Sequence, residues 1–152
     1  MLLKQFINDE ERQELLEWAK TLNYYHQAYG KNVYTYYLIN PYIPLVDLMI
    51  DRAAKFYDNR YKVSFKESCM VRIKPTGWVS IHTDSDKPDK VKNFNILLSK
   101  SDEDGHILHG NKEVLWKEKD AYILDAEIKH GVSSVNTEKE FYSILLYFYE
   151  AK

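Results

Sequence analysis

His82 and Asp84 stand two residues apart in Ile81-His82-Thr83-Asp84, and a third candidate, His130, follows well downstream. On a strand, residues two apart project from the same face, so this pair can aim at one point. Two imidazoles and one carboxylate on one triangular face of an octahedral ion leave the opposite face open for oxygen and a cosubstrate. That donor set suits non-haem iron(II). A His-x-Asp triplet taken alone reads as a solvated turn. Here a β-prone run carrying Pro75 and Gly77 precedes it, and a charged loop, 84–90, follows. His130 comes after the apolar run Ala121-Tyr122-Ile123-Leu124 with Asp125, and before Gly131-Val132. A strand and a short loop can therefore deliver it to the same spot.

The elements that must position these residues are legible in outline. Asn8 or Asp9 followed by Glu10 and Glu11 reads as a helix entry, with Leu15, Leu16, Trp18, Ala19 and Leu22 at helical spacing behind it. Val33 to Tyr37 favours a strand. Pro44 can open a second helix, whose apolar stripe is Leu45, Leu48, Met49, Ala53, Ala54 and Phe56. From Tyr61 onward the pattern is strands and turns. Strands are expected at 64–73, 79–83, 92–98, 106–109, 112–116, 120–124, 131–135 and 141–149, broken at Lys74-Pro75-Thr76-Gly77 and at similar polar clusters. Eight short strands behind two helices predict a mainly β, α+β fold: a double-stranded β-helix of the jelly-roll or cupin-like kind, buttressed on one face. The whole chain, 1–152, is expected to form one domain. In it, 1–60 is the supporting helices and β segment, and 61–152 the barrel core.

Bulk composition narrows the function classes. A length of 152 residues suffices for one cored domain, and a formal net charge of −2 gives no bias toward nucleic acid or an anionic membrane. No stretch of 18 apolar residues is present, and no apolar leader opens the chain. With a single cysteine, Cys69, no intrachain disulfide can form, and a cytoplasmic setting is expected. The 13 tyrosines read as amphipathic packing residues.

The segment from Met70 to Tyr149 resembles the catalytic core of the 2-oxoglutarate and iron(II)-dependent dioxygenases, and is most similar to their aspartyl/asparaginyl β-hydroxylase and prolyl-hydroxylase branches. The matching pieces are Arg72-x-x-Pro75-x-Gly77-x-x-x-x-His82-x-Asp84, Trp116 with the run to Ile123, Asp125-x-x-x-x-His130-x-Val132, and the apolar strand through Tyr149. The resemblance implies a double-stranded β-helix with iron(II) held by His82, Asp84 and His130. It also implies dioxygen and 2-oxoglutarate as co-reactants, and hydroxylation of a C–H bond on a small-molecule or peptide substrate. The substrate itself and the oligomeric state are not encoded legibly.

One position departs from that pattern. Such families carry an arginine on the last core strand, two before a serine, to grip the far carboxylate of 2-oxoglutarate. Ser143 matches the serine, but Phe141 stands at the arginine position, and no arginine follows Arg72. A relocated cation is the favoured explanation: Lys92, Arg72 or Lys74. The alternatives are a different cosubstrate or reductant, or a metal-binding barrel without the usual turnover. A cupin-like metalloenzyme that does not use 2-oxoglutarate is a further reading. Asn93, Asn95 and Ser143 either face solvent or line the cosubstrate pocket. His106 and His109 are expected on the surface or the barrel wall, with zinc binding as the minor alternative. His26 and Trp116 are read as packing residues, and the lysine-rich loop 87–92 as solvated or as steering an anion.

Overall fold

The structure, a computed structural model, describes residues 1–83, 91–125, 128–136 and 138–151. The elements run β1 (Leu2–Leu3), α1 (Asp9–Ala19), β2 (Tyr25–Gln27), β3 (Gly30–Tyr37), α2 (Pro44–Phe56), β4 (Tyr61–Val63), β5 (Cys69–His82), β6 (Val91–Ser99), β7 (Ile107–His109), β8 (Lys112–Val114), β9 (Ala121–Asp125), β10 (His130–Val132) and β11 (Phe141–Glu150). The helices begin where the sequence places them. The Asn8 side chain accepts from the Glu11 N–H at 2.8 Å, and the Glu11 carboxylate accepts from the Asn8 N–H at 2.9 Å, a reciprocal cap. Pro44 opens α2 with no side-chain cap. Arg52 of α2 then grips the Glu11 carboxylate in two hydrogen bonds of 3.0 and 2.7 Å, tying the helices together, and this pairing holds the Glu11 carboxyl below its ordinary range.

The strands form a curled antiparallel sheet ordered β1-β9-β6-β11-β5-β10-β7-β8, with β3 on the free flank of β5, β2 beyond it, and β4 on β11. Alternation along each strand divides the side chains between two cores. Phe94, Ile96 and Leu98 of β6 and Ile144, Leu146 and Phe148 of β11 face the helices, meeting Leu15, Leu16, Val46 and Met49. Their neighbours face inward. Val71 and Ile73 of β5, Leu97 of β6, Leu124 of β9 and Phe141 of β11 enclose the barrel. No helix among the described residues is long and apolar enough to cross a membrane.

The expected break at Lys74–Gly77 does not end the strand. β5 runs from Cys69 to His82, because β3 stays paired across it: Val33 opposes Ile73 and Lys31 opposes Trp78, and the surplus residues of β5 form a bulge. Gly77 permits this. A Cβ there would lie 2.5 Å from the Lys31 carbonyl oxygen. One continuous strand thus links the packed half of the barrel to the half that carries His82.

Candidate metal centre

His82 is the last residue of β5 and His130 the first of β10, and the two are directly paired in the antiparallel register. Opposed residues of such a pair project from the same face, so the rings meet, with centroids 4.7 Å apart at an interplanar angle of 59°. Each ring is oriented from behind. Nδ1 of His82 lies 2.6 Å from the Ser80 carbonyl, and Nδ1 of His130 lies 2.9 Å from the Ile128 carbonyl. A carbonyl only accepts, so in the neutral ring Nδ1 carries the proton and Nε2 the lone pair. A histidine that ligates a metal through one nitrogen and donates from the other to a carbonyl has this arrangement. The pair therefore fits a divalent ion. Asp84, the expected third ligand, lies outside the described residues.

Gly131 keeps the histidines close. A Cβ on Gly131 would meet the Val79 carbonyl oxygen at 2.6 Å and that of Ser80 at 3.2 Å. The clash is with backbone, so Gly131→Ala has to push β10 away from β5, and His130 moves with it. We expect this variant to bind iron(II) on the order of tenfold or more weakly, measured by anaerobic titration. Unchanged affinity would show that the spacing of the two strands does not set the site.

The pair opens on a cavity of about 570 Å³ that runs into the barrel. Tyr29, whose ring centroid is 6.2 Å from that of His82, stands at its mouth with Thr83, Tyr147 and Tyr149. Asn93, Asn95 and Ser143 line it too, all three buried. Asn95 Nδ2 donates to the Asn93 side-chain oxygen at 2.7 Å and to the Tyr122 carbonyl at 3.3 Å. Cys69 is in the wall, and burial pushes its thiol up to about 12, so it faces the cavity as a neutral thiol. Trp116 and Phe141, ring centroids 6.0 Å apart, form part of the lining farther in.

The cations expected beside a cosubstrate face the other way. On β5 the inward residues are Val71 and Ile73, so Arg72 and Lys74 project outward. Arg72 holds Glu140 in two hydrogen bonds of 2.8 Å and lies 5.8 Å from the ring centroids of Tyr24 and Tyr142. That pairing holds the Glu140 carboxyl below its ordinary range. Lys74 sits 4.8 Å over the ring of Tyr34. Lys92 shares the outward parity of Phe94 and sits 5.6 Å over the ring of Tyr61. None of the three lines the cavity. Among the described lining residues the cation is Lys66, exposed at the rim beside Glu67.

His109, expected on the surface or the barrel wall, lies beside the pair. It opposes His130 on the far side of β10, and its Nδ1 lies 2.8 Å from the Tyr122 hydroxyl. The signal was in the pairing, which a short strand with glycines on both sides does not advertise. His106 is buried, with its backbone N–H donating to Ser133 Oγ at 2.9 Å.

No protein-family model and no curated protein matches the sequence. Solved structures match the fold along nearly all of it. HygX from Streptomyces hygroscopicus with nickel and 2-oxoglutarate bound superposes with a TM-score of 0.83 at 13% identity, covering 99% of this chain and 82% of that one. The fold is that of the 2-oxoglutarate/iron(II) oxygenases. The viral collagen prolyl hydroxylase of Paramecium Bursaria Chlorella virus-1 gives 0.78 at 15% identity, over 100% of this chain and 96% of that one. A Trichoplax adhaerens prolyl hydroxylase in complex with a hypoxia inducible factor peptide gives 0.80 at 9% identity, over 99% and 83%. What these oxygenase folds share with the chain is the curled double-stranded β-helix and its flanking helices.

Proposed function

We propose that the protein is an iron(II)-dependent oxygenase that hydroxylates a C–H bond of its substrate while decarboxylating 2-oxoglutarate. The observation that carries this reading is the pair of imidazoles opposed across β5 and β10, each with Nδ1 committed to a backbone carbonyl. His82, His130 and Asp84 would hold the metal. When bound, iron(II) supplies the redox chemistry that joins dioxygen, the oxo acid and the substrate.

The residues of the chain do the positioning. The Ser80 and Ile128 carbonyls hold the two rings in the metal-binding tautomer. Val71, Leu124 and Val132 give the cavity apolar walls beside the pair. The tyrosines at the mouth offer ring faces to an entering small molecule or peptide side chain. Both kinds of ligand occur with this fold: HygX is seen with hygromycin B, and the Trichoplax enzyme with a peptide. A cytoplasmic setting suits both iron(II) and the lone thiol.

Anaerobic loading with iron(II), followed by millimolar 2-oxoglutarate, is expected to give a weak visible metal-to-ligand absorption, and admission of oxygen to release succinate. Stoichiometric iron with neither signal would refute 2-oxoglutarate turnover. It would leave the second reading, a metal- or ligand-binding barrel of the same fold, which Phe141 at the expected arginine position specifically favours.

A further inference from the structure

Resting on the metal-centre reading, we propose that the inner end of the cavity is a subsite for an uncharged tail, so that a 2-oxo acid with an apolar tail binds more tightly than 2-oxoglutarate. The subsite is defined by what encloses it. Phe141 is 1% exposed and faces inward on β11, with its ring packed toward Trp116, itself 1% exposed. Leu97, Ile107 and Val135 complete the same cluster, all buried. Of these, Phe141, Trp116 and Ile107 line the cavity, and they make its wall there apolar.

The Trp116 and Asn95 donors near that end are already committed. The indole N–H of Trp116 donates to the Gly105 carbonyl at 3.0 Å. The Asn95 amide donates to the Asn93 oxygen and to the Tyr122 carbonyl. Because the Tyr122 carbonyl only accepts, the orientation of that amide is fixed, and its remaining polar atom is another acceptor. A carboxylate entering here would lose its water and meet an amide oxygen, aromatic carbon and only neutral polar groups, the Ser143 hydroxyl and the Asn93 amide. Removing a charge from water without a charged partner is far more costly than removing an alkyl group, which gains from the same burial. Arg72, Lys74 and Lys92 cannot swing in, because strand alternation directs them outward.

The test compares two ligands of equal length: 2-oxoglutarate and 5-methyl-2-oxohexanoate, which carries an isopropyl group where 2-oxoglutarate has its far carboxylate. Each is titrated calorimetrically into anaerobic, iron(II)-loaded protein. The wild type is expected to bind the isopropyl acid at least about tenfold more tightly. Phe141→Arg, which places a guanidinium at the inner end, is expected to reverse the order. The wild-type comparison decides even where that variant does not fold. Tighter binding of 2-oxoglutarate by the wild type overturns the proposal, and abolition of that preference by Lys66→Met would identify the rim lysine as the clamp instead. Failure to bind iron(II) at all overturns the metal-centre reading itself, and is separately visible in the loading step.

Discussion

The His130→Ala variant is expected to fold and to lose iron(II) affinity by at least about 100-fold. Outer partners of a metal ligand are worth roughly 10–100-fold in affinity, and this substitution removes a ligand outright. The ring is 3% exposed, and its oriented nitrogen is held by the Ile128 carbonyl. Its role in the barrel is local, because β10 keeps its backbone pairing to both β5 and β7 whatever the side chain. Loss of metal with an unchanged melting temperature in the metal-free protein would therefore identify a ligand and not a packing residue. Asp84→Ala is expected to behave alike in the same anaerobic titration. If both variants retain wild-type affinity, the ligand set is wrong and the paired rings have a structural purpose only.

Much of this was readable from the amino-acid order, for physical reasons that differ from element to element. The helix starts were legible because capping is local: Asn8, Glu11 and Pro44 act within one turn. The two-core division of β6 was half legible. Asn93 and Asn95 alternate with Phe94 and Ile96, but alternation says which residues share a face and not which face is inside. The expectation of Arg72 or Lys92 beside the cosubstrate turns on that same choice of face. Each stands next to an inward residue, Val71 or Asn93, and so has to face outward. The continuity of β5 was illegible, because Pro75 and Gly77 signal a break and only the pairing with β3 overrides them. The partner of His109 was illegible on the same ground. The place of His109 beside His130 is a matter of register between strands far apart in sequence. Phe141 was the opposite case: an absence at one position, visible in sequence, whose consequence depended on the ring that packs against it.

Phe94→Ala is expected to carry the largest stability cost and to leave the metal centre intact. Phe94 is fully buried on the helix side of β6. Its ring lies 4.9 Å from that of Phe6, 6.3 Å from Phe56 and 6.2 Å from Tyr57, so it joins the N-terminal segment and the end of α2 to the sheet. Truncating a fully buried phenylalanine costs about 3–5 kcal/mol. In a chain of this length that lowers the melting temperature by roughly 6–20 °C. Yet its neighbours Asn93 and Asn95 project through the other face into the cavity, and the histidines belong to β5 and β10, which do not pair with β6. Below its melting transition the variant is therefore expected to bind iron(II) as the wild type does. A calorimetric melt and an anaerobic titration on one preparation test both halves. If affinity falls together with stability, the helix layer reaches the metal through the sheet, and the two faces of β6 are energetically coupled rather than independent.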